Sequence, residues 1–220
     1  MAAPAAGIAG AIDPALQRDI ESLAVPGLLI GHRLISPGDE DALRDAEAVS
    51  IASVVIEVRR ASGAARIVAR GLLAQLGYSG VSVPRGASGE PIWPAGISGS
   101  LAHDQRVAVA AVGKLSEIGT VGIDVEPAEV LPPEMLELIA TPQELRKIAA
   151  DPLRGRLLFA VKEAVYKAVF PRHRAFLEFR DIEVDLAART AVTRTGHALA
   201  LQFRISSRVL VVALAAPGQA

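Results

Sequence analysis

The stretch FAVKEAVYKAVF, residues 159–170, sets Lys162, Glu163 and Lys167 among alanines, valines and aromatics. At about 100° per residue on a helix, Ala160, Val161, Ala164, Val165, Ala168 and Val169 fill one small apolar arc. The three charges share the remaining arc with Phe159, Tyr166 and Phe170, a mixture that suits the wall of a cleft. Taken alone it also suits a solvated helix, where Glu163 and Lys167 make a favourable i,i+4 pair.

A second stretch, VGIDVEP at 121–127, has the alternation of a strand. Asp124 and Glu126 then point to one face with Cα atoms about 6.5–7 Å apart, and Ile123 and Val125 point to the other. Two carboxylates on one face repel unless water or a shared cation relieves them, so the pair reads either as a solvated edge or as part of a cation site. Mg²⁺ suits the second reading, because it takes a few carboxylate oxygens and completes its shell with water or phosphate. Glu163, on a helix beside such a strand, would add a third carboxylate flanked by lysines. Metal, carboxylate and ammonium together serve phosphoryl or pyrophosphate chemistry.

The third stretch, GEPIWPAGISGSLAHD at 89–104, brings His103 to the end of a Gly- and Pro-rich segment. An imidazole there can reach a phosphate, or can simply hydrogen-bond its own backbone. Arg66 and Arg70, at i,i+4 spacing, and Arg85 are further phosphate-binding candidates that would otherwise be surface arginines.

The elements that must position these groups can be read along the chain. Residues 1–20 read as a loose Ala-, Gly- and Pro-rich arm. Helical character is expected over 39–50 and through 51–77, with Gly63 a weak point and Gly77 a stop. The segment 79–100 reads as a long ordered loop. RVAVAAVG and GTVGIDVE read as strands joined by a turn at KLSEI, PPEMLELIA and TPQELRKIAA as helix starts, and 155–170 as a helix stopped by Pro171. Strands are expected again after residue 177. The fold class is therefore α/β or α+β.

Bulk composition narrows the function classes. The chain has 220 residues, 51% of them hydrophobic, a formal net charge of −1 and no cysteine. That excludes disulfides, thiolate nucleophiles and Cys-ligated zinc, and near-neutral charge argues against nucleic acid as the partner. Apolar runs are too short for a membrane helix and the first residues do not read as a secretion signal, so a cytoplasmic protein is expected. The basic residues are 19 Arg and only 4 Lys, and two of those four lie in the opening stretch.

In order and spacing, GEPIWPAGISGSLAH, VGIDVEP and FAVKEAVYKAVFP resemble the 4′-phosphopantetheinyl transferases of the large single-chain class, the activators of enterobactin and surfactin synthetases. The resemblance covers roughly residues 55–185. It implies a pseudo-dimer of two similar α/β halves, 1–117 and 118–220, with the active site in the cleft between them. It also implies an enzyme that moves the phosphopantetheine arm of coenzyme A to a serine of an apo acyl or peptidyl carrier protein, releasing adenosine 3′,5′-bisphosphate. Separately from the resemblance, a monomer is expected. By the same resemblance Asp124, Glu126 and Glu163 bind Mg²⁺, Glu163 is the base, and Lys167 neutralises the breaking pyrophosphate. Lys162, His103, Arg66, Arg85 and Arg59 would hold coenzyme A phosphates, with Arg60 an alternative to Arg59. The chain departs from the usual pattern at Ala160 and Val161, at Ala102 and in ASGAARIVAR, positions that bear on substrate contacts and rate. The carriers of siderophore, polyketide, peptide and fatty acid assembly are all open. Two other readings of the same residues are a nuclease-like Mg²⁺-dependent phosphoryl-transfer enzyme and a non-catalytic module binding coenzyme A or carriers.

Overall fold

A computed structural model describes residues 10–217 apart from 24, 149, 150 and 175. The elements in chain order are α1 (Pro14–Ser22), β1 (Leu28–Leu34), α2 (Asp45–Ser50), α3 (Ile56–Gln75), β2 (Ile97–His103), β3 (Val107–Lys114), α4 (Leu115–Ile118) and β4 (Thr120–Pro127). There follow α5 (Pro133–Ile139), α6 (Pro142–Ile148), α7 (Leu153–His173), β5 (Ile182–Asp185), β6 (Thr190–Thr193), β7 (Ala198–Ile205) and β8 (Arg208–Ala215). The fold is α+β.

The strands make two antiparallel sheets, ordered β1-β3-β2 and β4-β8-β7-β6-β5. The two share one connectivity. A first strand (β1 or β4) leads to a long helix (α3 or α7), and a hairpin follows (β2-β3 or β7-β8). In each, the last strand of the hairpin lies in the middle, paired to the first. The second unit extends its edge with β5 and β6. Two similar halves are what the resemblance implies.

Side-chain alternation decides the layers. In β3, Val107, Val109 and Ala111 meet Val121, Ile123, Val125, Leu210 and Val212 in a core between the sheets, capped by Leu16 and Ile20 of α1. The opposite faces carry the long helices: α3 covers Ala108, Ala110 and Val112, and α7 covers Val209, Val211 and Ala213. β2 and β4 run side by side where the sheets meet, and Ser98 Oγ accepts the amide of Val121 at 3.1 Å.

Two glycines permit the approaches on which the site depends. A Cβ at Gly122 would lie 1.8 Å from the carbonyl oxygen of Ala164, so α7 reaches β4 only because that side chain is absent. Gly63, expected as a weak point, is instead where α3 receives the backbone of Asp39, 1.8 Å from a would-be Cβ. Gly77 ends the α3 region at φ +90°, as expected.

Several expectations change. The loose arm is a helix from Pro14 onward, N-capped by the Asp13 carboxylate, because Leu16 and Ile20 have a core to enter; its residues 1–9 lie outside the described residues. Helix 51–77 is interrupted before Ile56. β1, in the stretch GLLIGHRLI, was not expected at all, although its apolar residues pair with β3. β3 and β4 belong to different sheets, with the helical turn α4 between them. α7 continues through Pro171 to His173, since a proline in the last turn forfeits one hydrogen bond and Arg174 N still closes on Phe170 O at 2.9 Å. No helix among the described residues is long and apolar enough to cross a membrane.

Candidate active site

β4 turns its polar residues toward α7. Asp124 is 4% exposed, and its Oδ1 accepts the Lys167 ammonium at 2.6 Å. Its Oδ2 is buried without a hydrogen-bond partner. Glu126, two residues on and on the same face, accepts Arg156 Nη1 of α7 at 2.9 Å. Glu163 lies one turn before Lys167 and makes no hydrogen bond among the described residues. Its electrostatic neighbours are Lys167 and Asp124.

The proton affinities follow from this crowding. Burial raises the Glu163 pKa above the ordinary carboxylate range; Lys167 works against that and Asp124 adds to it. Burial likewise raises Glu126, reinforced by Asp124 and opposed by Arg156. Lys167 loses hydration, which disfavours its charge, but Asp124, Glu163 and Glu126 outweigh that and leave its pKa raised. The group is thus a reluctant carboxylate beside a firmly held ammonium.

A cleft of about 500 Å³ opens between α3 and α7 with Gly99, Ser100 and Leu101 of β2 on its floor. Arg66, Arg85, His103, Glu163 and Lys167 all line it. Arg66 is buried, its Nε donating to Val83 O at 2.8 Å and its Nη1 to Ser62 O at 3.2 Å. Burial brings its pKa down to about 10, so it remains a cation at neutral pH. Arg85 stands exposed on the loop, and His103 stands exposed at the end of β2 with Nδ1 3.3 Å from Asp104 O. The cleft therefore carries cations from three separate elements, Arg66 of α3, Arg85 of the loop and Lys167 of α7, which is what a polyphosphate needs. Desolvation lowers the His103 pKa, so that imidazole stands beside them as a neutral hydrogen-bonding group.

Three expected phosphate ligands, Lys162, Arg59 and Arg70, are elsewhere. Lys162 is 0% exposed, and its Nζ donates to Glu144 Oε2 and Ile139 O, both at 2.8 Å. The helical position that was assigned to the cleft instead faces α5 and α6, where Glu144 offers a buried carboxylate. Arg59 is corrected too: it leans on Glu40 O at 3.4 Å, next to the Arg60–Glu40 ion pair, and does not line the cleft. Arg70 is taken by Glu47 Oε2 at 2.5 Å and by Ala42 O.

The metal set is assembled only in part. Asp124 and Glu126 share a face and Glu163 adjoins Asp124, yet among the described residues no three ligating side chains stand close enough to hold an ion. Lys167 and Arg156 engage one oxygen of each acid on β4. The donor set nevertheless fits a hard divalent cation, being oxygen only, with the buried Asp124 Oδ2 left without a proton donor.

Sequence reading missed Glu90. It is a 9% exposed carboxylate on the cleft wall, tied to Arg174 beyond α7. An acid in a Gly-rich loop looks solvated in the sequence, and only its position between Gly89 and Pro91 hints at a turn.

Residues 46–113 match the family described as the 4′-phosphopantetheinyl transferase N-terminal domain, and residues 120–215 match the 4′-phosphopantetheinyl transferase superfamily. The chain is similar to the 4′-phosphopantetheinyl transferase Npt of Nocardia iowensis, 36% identical over 181 residues and 81% of each chain. It is similar to the 4′-phosphopantetheinyl transferase PptT of Mycobacterium tuberculosis, 39% identical over 142 residues and 63% of each chain. It also resembles enterobactin synthase component D of Escherichia coli strain K12, 28% identical over 155 residues, which are 67% of this chain and 72% of that one.

Proposed function

Because the chain belongs to the 4′-phosphopantetheinyl transferase superfamily, we propose that its cleft takes coenzyme A and transfers the phosphopantetheine arm to a carrier-protein serine. The observation that carries this reading is the convergence of Arg66, Arg85, His103, Glu163 and Lys167 on one cleft beside Asp124. Its volume falls within the range of about 300–1,000 Å³ usual for cofactor pockets.

In this reading Arg66, Arg85 and His103 hold the nucleotide phosphates. Glu163 takes the serine proton, and a raised pKa makes it a better base than an ordinary carboxylate. The serine oxygen bonds to the phosphorus that carries pantetheine. The bond between that same phosphorus and the bridging oxygen breaks, and adenosine 3′,5′-bisphosphate leaves with the bridging oxygen. Lys167, pinned by Asp124, cancels charge on the departing phosphate. Asp124, Glu126 and Glu163 would hold Mg²⁺, which when bound supplies further positive charge to the pyrophosphate oxygens. The proposal places the enzyme in the cytoplasm as a monomer, with its halves dividing near residues 117 and 118.

The test is a carrier mass assay. Incubation with coenzyme A, Mg²⁺ and a panel of apo carriers should add one phosphopantetheine to at least one carrier. Binding of coenzyme A without any mass gain would leave only a binding module, and Mg²⁺-dependent cleavage of DNA or RNA instead would replace the reading with a nuclease.

Lys162 has a different expected result. Lys162→Met strands the Glu144 carboxylate in the interior, a loss of about 3–5 kcal/mol for breaking one side of a buried pair. Urea unfolding should show that loss, with coenzyme A affinity little changed. A large affinity loss in a variant of native stability would return Lys162 to the phosphates.

A further inference from the structure

The Gly-rich loop before β2 is not free-standing. Gly86 N donates to Glu90 O at 2.7 Å, Gly89 N donates to Gly86 O at 3.0 Å, and Arg85 bridges to Pro91. Gly89 turns the chain at φ +95°. The Glu90 side chain folds back inside this turn, where Oε2 accepts Ser88 N at 3.1 Å. A Cβ at Gly86 would lie 2.4 Å from Glu90 Oε1, so the carboxylate and the turn fill each other.

The other oxygen partner comes from the second unit of the fold. Arg174, the left-handed residue (φ 53°) that ends α7, donates Nη1 to Glu90 Oε1. Its guanidinium also lies 5.7 Å from the centre of the Phe170 ring, and Phe170 stacks on Tyr166 at 5.2 Å. Tyr166 and Phe170 line the same cleft as Glu163 and Lys167. A continuous path thus runs from the helix of the reacting groups, through Arg174, to the turn bearing Arg85.

We propose that Glu90 and Arg174 form a clasp across the cleft, fixing the Arg85 turn against α7 so that the cation meets a bound coenzyme A. Both are positioning residues, and the inference rests on the coenzyme A reading above. Arg174 pins a carboxylate that burial alone would push toward its neutral form, and their contact holds the Glu90 pKa down. The pair is half wet, with the Arg174 side chain 59% exposed and that of Glu90 6%, so its contribution is modest and sensitive to salt.

The test is a double-mutant cycle on the full chain, read by calorimetry with coenzyme A and by steady-state kinetics. Glu90→Gln and Arg174→Gln should each weaken coenzyme A binding and raise its KM by about fivefold, the size of one partly exposed ion pair. kcat should fall less than KM rises. The double variant should be no worse than either single one, and Arg174→Lys should stay near the native value. Lowered melting temperature with unchanged coenzyme A affinity would reduce the pair to a structural tie and overturn the clasp. Losses that add in the double variant would also overturn it, since independent residues do not form a clasp. A native chain that binds no coenzyme A would sink this inference together with the function, whereas native binding with indifferent variants sinks this inference alone.

Discussion

Glu163→Gln is expected to lower transfer by about 10²–10⁴-fold, the usual worth of a positioned general base, while leaving the fold and coenzyme A binding in place. The side chain makes no hydrogen bond among the described residues, so the amide inherits no broken contact. Stability should even improve slightly at neutral pH. The folded-state pKa of Glu163 lies above its unfolded value because burial disfavours the anion. Stability from the neutral form is therefore full below the unfolded pKa and is lost as pH rises through the folded one. Glutamine removes that dependence, so the native chain and the variant should converge in acid and separate above it. Thermal melts across pH without added Mg²⁺ read the stability difference, and the carrier mass assay with Mg²⁺ at one pH reads the loss of the base. A variant that turns over within about tenfold of the native rate would remove Glu163 as the base.

The same residues show what a sequence exposes and what it hides. The strand alternation in VGIDVEP placed Ile123 and Val125 in the core and Asp124 and Glu126 opposite, because a strand allows only two faces. Gly122 made the meeting with α7 possible, but its reason is a carbonyl 42 residues away, at Ala164, and no local rule points there. Lys162 failed for a related cause. A helical wheel fixes an azimuth, not what lies along it, and a four-carbon stem can serve a phosphate or a buried Glu144 equally well. Arg59 leans on the backbone carbonyl of Glu40 and Arg70 was captured by the Glu47 carboxylate, both in a stretch that shows only helical character in the sequence. Arg66 reached the cleft because its partners are backbone carbonyls that leave its charge uncancelled by a direct ion pair. β1 was missed although Pro26-Gly27 and Pro37-Gly38 mark turns on either side of it, because GLLIGHRLI lacks clear alternation. Burial on both faces of a central strand is easier to see than half-burial at an edge.

Asp124→Asn is expected to be nearly as damaging to transfer, for a different reason. Asp124, Glu126 and Glu163 bring three formal negative charges to one corner, against Lys167 and Arg156. Bringing the coenzyme A pyrophosphate there adds more negative charge, so a divalent cation is the natural counterweight and Asp124 Oδ2, buried and unpartnered, its natural anchor. Asparagine keeps an oxygen toward Lys167 but offers the cation a neutral ligand. The fold loss should be limited to about 1–3 kcal/mol, the scale of a weakened hydrogen bond to a charged group. Turnover should fall about 10²–10³-fold, several kcal/mol of charge stabilisation at the reacting phosphates. A readout independent of turnover separates the metal role from simple disruption. Mg²⁺ should raise the melting temperature of the native chain, because it binds only the folded site, and should leave Asp124→Asn unmoved. If Mg²⁺ stabilises both equally, the cation sits elsewhere and Asp124 serves only to hold Lys167 in place.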